Sequence, residues 1–451
     1  MKKRIISAFA FLLAFAMLTG CSENGGSAAN GEQSSDSSTS STNLTDSTGL
    51  QSGSEPESLS STESSSQSTV EVGSSVENVD IPPVEITADN MLTSVKLFDV
   101  ISGSKENSMF SPLSLNMALG LLAEGAGGTS KEALDKYLGT DNYSDFANGY
   151  MQIVESRYNY VSDYGGGWKN VFEIANSFWA NKNLPFKEDY GNTLAEKFKA
   201  EVRNLDFADK EKALGEINGW VSDKTHKMIP KVLDDYSDDI AAVLINTIYF
   251  ESAWRDEWSI YENMTQPFTR PDGSTKEIPL MHNVVNNYYE NDAATAFGCG
   301  YLNGLEFIGI LPKETGDFTI ESLDIPSLLE SECYQYDVSA SMPKLNFETD
   351  IPLTDALKAF GLSDIFDCDK ADLSGISDVP MFVSDVLQKT KLELDENGTK
   401  AAAVTAVVMD ALCAMPEERE KKEVTLDRPF AFMIYDSTEN QIVFLGKVTN
   451  P

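Results

Sequence analysis

Every second residue from Thr399 to Met409 is uncharged: Thr399, Ala401, Ala403, Thr405, Val407 and Met409. In an extended chain these residues share one face, and Lys400 falls on the other. The segment can therefore be buried as a strand in a sheet. Gly398, just before it, permits backbone angles that let the chain hinge. Downstream, Glu417 to Glu423 is charged and reads as solvated. A strand fit for burial that runs straight into a solvated loop is an unusual juxtaposition. An ordinary alanine-rich helix or strand is the plainer alternative.

The two ends of the chain set further limits. Lys2, Lys3 and Arg4 precede an apolar run from Ile5 to Leu18, too short for a comfortable membrane span and suited to the core of a secretory signal. The run closes on Leu18-Thr19-Gly20-Cys21, which resembles a bacterial lipobox, so residues 1–21 are expected to form a lipoprotein signal peptide outside the fold, with Cys21 lipidated. An ordinary signal peptide with a chance cysteine is the alternative. Residues 22–80 contain no Lys, Arg or aromatic residue and are rich in Ser, Thr and acids. Such a segment cannot bury enough apolar surface to offset its ordering entropy, and reads as a disordered tether spanning roughly 40–45 Å. The expected location is the extracellular face of a bacterial membrane, touched only through the lipid.

Residues 81–451 show no linker and no repeat. The 71 acidic and 34 basic side chains give a net charge of −37, which argues against nucleic acid as a partner. Apolar residues from Met91 to Ile101 recur near a 3.6 period and predict a helix. Ser111-Pro112 starts a second that runs through Leu122, and Thr129 or Ser130 is placed to cap a third. Ala241–Phe250, Leu305–Leu311, Val383–Leu394, Phe430–Tyr435 and Ile442–Gly446 read as strands. Helices and strands mix without regular alternation, which predicts an α+β architecture.

Signatures of catalysis are scarce. No Gly-x-Ser-x-Gly elbow is present, and Gly125-Ala126-Gly127-Gly128-Thr129-Ser130-Lys131 has the wrong spacing for a phosphate loop. The only histidines, His226 and His282, lack metal-ligand spacing, so no metal or cofactor is expected. Cys299, Cys333, Cys368 and Cys413 are widely spaced and read as free thiols rather than disulfides.

Glu396-Asn397-Gly398-Thr399-Lys400-Ala401-Ala402-Ala403 resembles the reactive-loop hinge of the serpins. The resemblance extends over the folded part, in order: Phe110-Ser111-Pro112-Leu113-Ser114, Ala175-Asn176-Ser177-Phe178-Trp179, Asn246-Thr247-Ile248-Tyr249-Phe250 with Trp254, Met342-Pro343-Lys344, Asp427-Arg428-Pro429-Phe430 and Gly446 to Pro451. It implies about nine helices around three β-sheets, with a reactive-centre loop at about 396–428. It also implies a monomeric, non-enzymatic inhibitor that traps serine proteases covalently, its loop inserting into the central sheet after cleavage. The hinge residues would be Glu396, Gly398, Thr399, Ala401, Ala402 and Ala403. Ser111, Ser114, Asn246, Trp254 and Gln388 would lie where the sheet opens.

In inhibitory serpins the hinge glutamate lies a nearly fixed distance before the cleaved bond, which places that bond between Leu412 and Cys413. Ala411 precedes it, so the bait suits proteases with apolar pockets, such as those resembling elastase, chymotrypsin or subtilisin. Met409–Asp410, Met415–Pro416 and Arg419 remain alternatives. Three features depart from the family pattern: a long stretch from Cys413 to Arg428, Gln388 where many members carry a histidine, and Lys400 where an acid is common. A non-inhibitory surface-binding protein of the same fold, and a hydrolase, are the competing readings.

Overall fold

The computed structural model describes residues 10–20, 90–103, 106–159, 170–256, 258–399 and 419–451. The tether, Cys21, Lys400, Ala401, Ala402, Ala403, Leu412 and Cys413 lie outside the described residues.

Three β-sheets and eight α-helices are described, giving the α+β architecture expected. The central sheet has seven strands. From one edge they are β4 (Glu201–Leu205), β3 (Val171–Asn181), β5 (Ile240–Ala253), then β1 (Ala10–Gly20) and β14 (Gly398–Thr399) in one slot, then β13 (Met381–Asp395) and β12 (Leu345–Pro352). The second sheet runs β2 (Asn107–Phe110), β17 (Gln441–Val448), β16 (Phe430–Asp436), β10 (Glu306–Pro312), β9 (Ala294–Gly300) and β8 (Asn287–Glu290). The third runs β15 (Glu420–Thr425), β11 (Tyr336–Pro343), β7 (Thr275–Val285) and β6 (Ser259–Thr269).

Helix α1 (Asn90–Ser102) precedes α2 (Pro112–Ala123), whose residues are all buried. A helix apolar on every side has to lie inside the core. Accordingly α2 lies against both β5 of the central sheet and β17 of the second. Its start follows from local chemistry: Ser111 is extended, its side chain accepts the Ser114 N–H, and Pro112 occupies the first turn. α3 (Gly128–Leu138), α4 (Tyr143–Ile153) and α5 (Glu188–Lys197) extend this helical layer. On the outer face of the central sheet, α6 (Lys210–Lys224) buries Ala213, Ile217, Trp220 and Val221 against Trp179, Val243 and Tyr249. α7 (Ile325–Glu330) and α8 (Thr354–Leu357) are short.

Two expectations need correction. Thr129 and Ser130 do not cap α3: Gly127 holds the cap position, and the buried Ser130 Oγ instead accepts the Asp372 N–H at 3.0 Å. Residues 396–428 are not one exposed loop, because Glu420–Thr425 pairs in parallel with β11. The charged side chains there stay mostly exposed while the backbone joins a sheet edge, and alternation of faces allows both. Ala10–Gly20 pairs with both β5 and β13. That run has no charge and no proline, so the strands on either side can satisfy its backbone groups.

Candidate functional site at the gap in the central sheet

Strands β5 and β13 do not pair with each other; they flank a slot. β13 ends in a tight hairpin whose loop is Glu396-Asn397, and β14 returns with Leu394 opposite Thr399 and Asp395 opposite Gly398. β14 also pairs with β5, Gly398 opposite Ala253 and Thr399 opposite Ser252. Gly398 and Thr399 of the hinge are therefore already strand between β5 and β13.

The hairpin is held at its carbonyls. Trp254 Nε1 donates to Asp395 O (2.8 Å), and the Trp254 backbone N–H donates to Asn397 O (3.1 Å). Glu396 pairs with Lys344 at 2.5 Å. Burial is the main influence raising the pKa of Asp395, opposed by the Asn397 N–H that donates to its Oδ1. Thr399 is fully buried, and its hydroxyl lies 2.6 Å from the Tyr301 hydroxyl. Tyr301 in turn stacks on Trp254 with ring centroids 4.4 Å apart. Sequence reasoning missed Tyr301, because nothing in Gly300-Tyr301-Leu302 announces a contact with a residue 98 positions away. Nearby, burial pushes the Cys299 thiol up to about 12, so it stays protonated and unreactive beside Trp258.

Gly398 has φ +142°, and a Cβ there would stand 2.3 Å from Ser252 O and 2.7 Å from Ala253 Cα, both backbone atoms. Only glycine fits this close approach. Gly398→Ala should expel β14 from the slot and cost about 1–3 kcal/mol. A melting curve checks this, and an unchanged melting temperature would show that the hairpin contributes nothing to the uncut protein.

Lower in the slot, both flanking strands are tied to the start of α2. Gln388 on β13 is fully buried, accepts the Ser111 N–H (3.0 Å) and donates to Ser111 O (3.1 Å). Ser114 Oγ on α2 donates to Asn246 Oδ1 on β5 (2.5 Å), and Asn246 Nδ2 donates to Asn176 Oδ1 on β3 (2.8 Å). The structure thus brings Ser111, Ser114, Asn246 and Gln388 into one buried network. Gln388 holds two bonds because its amide both donates and accepts. Trp254 belongs to the hairpin cluster above, not to this network. Asn176 joins the network although sequence reasoning gave it no role.

The β14 register fixes where a longer insertion would lie. A strand continued in this register would bring position 401 opposite Phe250 and position 405 opposite both Gln388 and Asn246. Residues opposite one another across a ladder share a face. The faces carrying Thr399, Gln388 and Asn246 point inward, since all three side chains are fully buried.

The histidines lie away from this slot. His226 follows α6, stands 3.1 Å from Glu173 and packs on Tyr249. His282 lies in β7, 3.2 Å from Ser341 Oγ. Cys299 and Cys333 are free thiols. Among the described residues, no helix is long and apolar enough to cross a membrane.

Comparison with known proteins places the geometry in context. Residues 88–451 match the family profile described as Serpin (serine protease inhibitor). An uncharacterized serpin-like protein of Methanosarcina acetivorans is 31% identical over 369 residues, covering 79% of this chain and 84% of that protein. Leukocyte elastase inhibitor A of Mus musculus is 29% identical, covering 81% of this chain and all of that protein. Among solved structures, the thermophilic serpin tengpin in its native state superposes with a TM-score of 0.68 at 29% identity, covering 82% of this chain and 96% of that one.

Proposed function

This chain belongs to the serpin family, and on that premise we propose that it inhibits serine-type endopeptidases as a suicide substrate whose cut loop enters the central sheet. The observation that carries the proposal is the β14 hairpin, seated between β5 and β13 with Thr399 buried. The inward face that follows, Ala401, Ala403, Thr405, Val407 and Met409, bears no charge and can be buried in the same slot.

The protease serine Oγ attacks the Leu412 carbonyl. The Leu412–Cys413 bond breaks, the Cys413 amine leaves with a proton, and an acyl-enzyme ester remains. The freed upstream segment inserts, dragging the protease with it. Net hydrogen bonds of roughly 0.5–1.5 kcal/mol each, over about a dozen inserted residues, supply on the order of 10 kcal/mol before packing. The uncut protein is therefore kinetically trapped. Distortion of the protease then stalls deacylation, since losing even one oxyanion donor costs about 10²–10³ in rate. The inhibitor supplies no catalytic group of its own.

The target class is proteases with apolar pockets. Ala411-Leu412 supports this, and so does similarity to a leukocyte elastase inhibitor. Leu412→Arg should move inhibition from such enzymes to trypsin-like ones by two or more orders of magnitude, and unchanged specificity would place the bond elsewhere. Cys21 would anchor the protein by lipid at the outer cell surface, with residues 22–80 as the tether.

The direct test mixes the protein with elastase-, chymotrypsin-, subtilisin- and trypsin-like proteases. The expected result is a complex stable on denaturing gels and a released peptide beginning at Cys413. Cleavage by every enzyme without a complex or a rise in melting temperature would mean that the loop does not insert.

A further inference from the structure

A cleft of about 340 Å³ opens over β9 of the second sheet, and the inhibitory mechanism makes no use of it. That volume suits a small molecule. Its floor holds Gly298 and Gly300, two residues apart and therefore on one face of the strand, roughly 6–7 Å from each other. Neither has room for a side chain. A Cβ on Gly298 would run into Glu306 Oε1, and one on Gly300 would stand 2.9 Å from Arg255 Cζ. A carboxylate and a guanidinium thus lie over neighbouring glycines on the same surface.

The acidic end is short of hydrogens and of positive charge. Asn287 Nδ2 has two hydrogens for three oxygens: the Tyr289 hydroxyl (2.8 Å), Glu332 Oε1 (2.9 Å) and Glu306 Oε1. The Tyr289 hydroxyl has one hydrogen for Glu306 Oε2 and Glu332 Oε1, each 2.9 Å away. Among the described residues, no Lys or Arg forms an ion pair with Glu306 or Glu332. Asn287 lines the cleft with its side chain buried, 7% exposed, and its carbonyl Oδ1 has no hydrogen-bond partner among the described residues. A buried acceptor of that kind is costly unless something donates to it. An ammonium supplies what is missing, a positive charge with three N–H donors.

The basic end is open to an anion. Arg255 is well exposed, and among the described residues its guanidinium meets one carboxylate, that of Asp256, through Nε at 3.5 Å. Its two terminal nitrogens can then take a carboxylate in the forked geometry that Arg favours.

We propose that this cleft binds a small zwitterion of the α-amino acid class, with its ammonium at Glu306 and Asn287 Oδ1 and its carboxylate on Arg255. The two charges of such a molecule stand ~3 Å apart, and a charge-assisted hydrogen bond of roughly 2.7–2.9 Å at each end extends that reach enough to bridge the two poles. Glu332 adds negative charge behind Glu306. Val284 and Tyr334 line the same cleft and are 56% and 59% exposed, so an apolar ligand side chain has surface to cover. The site stands apart from the inhibitory reading and does not depend on it.

The test is titration calorimetry on the full chain with three matched probes: L-leucine, 3-methylbutylamine, which lacks the carboxylate, and 4-methylpentanoate, which lacks the ammonium. Wild type, Arg255→Gln and Glu306→Gln are compared. Arg255 is exposed, so its replacement leaves the fold intact. The expected result is one leucine per chain, bound at least about tenfold more tightly than either fragment. Arg255→Gln should weaken leucine at least about tenfold and leave the amine unchanged, and Glu306→Gln should weaken both leucine and the amine. No heat from leucine at millimolar concentration would overturn the site. The amine binding as tightly as leucine, with no effect of Arg255→Gln, would show a cation site and overturn the zwitterion. Leucine binding equally to all three proteins would place it elsewhere and overturn the assignment too.

Discussion

Thr399→Arg should convert the protein from an inhibitor into a substrate. Thr399 is fully buried between β5 and β13, with its hydroxyl against Tyr301 and, among the described residues, no ionised group hydrogen-bonded to it. A guanidinium there loses its hydration without gaining an anion, a cost of several kcal/mol. The chain can escape that cost by withdrawing β14 from the slot, so the loop stays cleavable while its entry is slowed. Each ~2.7 kcal/mol added to the insertion barrier slows entry about a hundredfold, and deacylation of the acyl-enzyme runs in competition. The processed variant should be cut at the wild-type rate but yield at least about tenfold less covalent complex, read as moles of inhibitor consumed per mole of protease inactivated. Lys400→Glu is the paired control. Alternation puts residue 400 on the opposite face, so complex formation should not change. Equal complex yield from Thr399→Arg would sink the insertion mechanism.

A second large effect should appear in stability against pH. Glu306 on β10 is held by Asn287, whose Nδ2 donates to its Oε1, and its Oε2 lies 2.9 Å from the Tyr289 hydroxyl. That same hydroxyl lies 2.9 Å from Glu332 Oε1, so one phenolic proton serves two carboxylates. Tyr334 also donates to Glu332, and Arg255 lines the cleft beside Glu306. Burial, with the Glu332 charge adding to it, pushes Glu306 from 4.5 up to about 7. The fold therefore holds a proton that the unfolded chain has released over the window from about 4.5 to 7. Stability is fully present below that window and falls as pH rises through it. The loss amounts to about 3 kcal/mol. Glu306→Gln keeps the shape and removes the titration, so it should flatten this slope and raise the melting temperature at pH 8 by several degrees. Matching melting-temperature profiles for the two proteins between pH 5 and 8 would show that Glu306 does not couple to folding.

Local pattern accounts for the elements that sequence reasoning found. The strand expected over Val383–Leu394 is Met381–Asp395, and that over Ala241–Phe250 is Ile240–Ala253. The second is almost wholly apolar, which favours burial on both faces, and the first alternates apolar with polar residues, the pattern of a strand with one face inward. Ser111-Pro112 gave the start of α2 because cap chemistry is local. The cap of α3 misled because Ser130 had a better partner in Asp372, far along the chain. β15 was missed for a related reason. Its charged side chains say exposed, and pairing of its backbone with β11 depends on a strand more than 80 residues earlier.

The alternation from Thr399 to Met409, the glycine before it and the charged stretch after it determined by themselves that this segment can be buried as a strand, because side-chain parity is a property of any extended chain. Tertiary structure alone decided where that strand could go. β5 and β13, more than 120 residues apart in sequence, are both tied to the first turn of α2 through Asn246 and Gln388, and at the hairpin each pairs with β14. It likewise decided that Tyr301 meets Thr399. A sheet edge offers its hydrogen bonds to any extended segment within reach, and only the assembled fold determines which segments reach it.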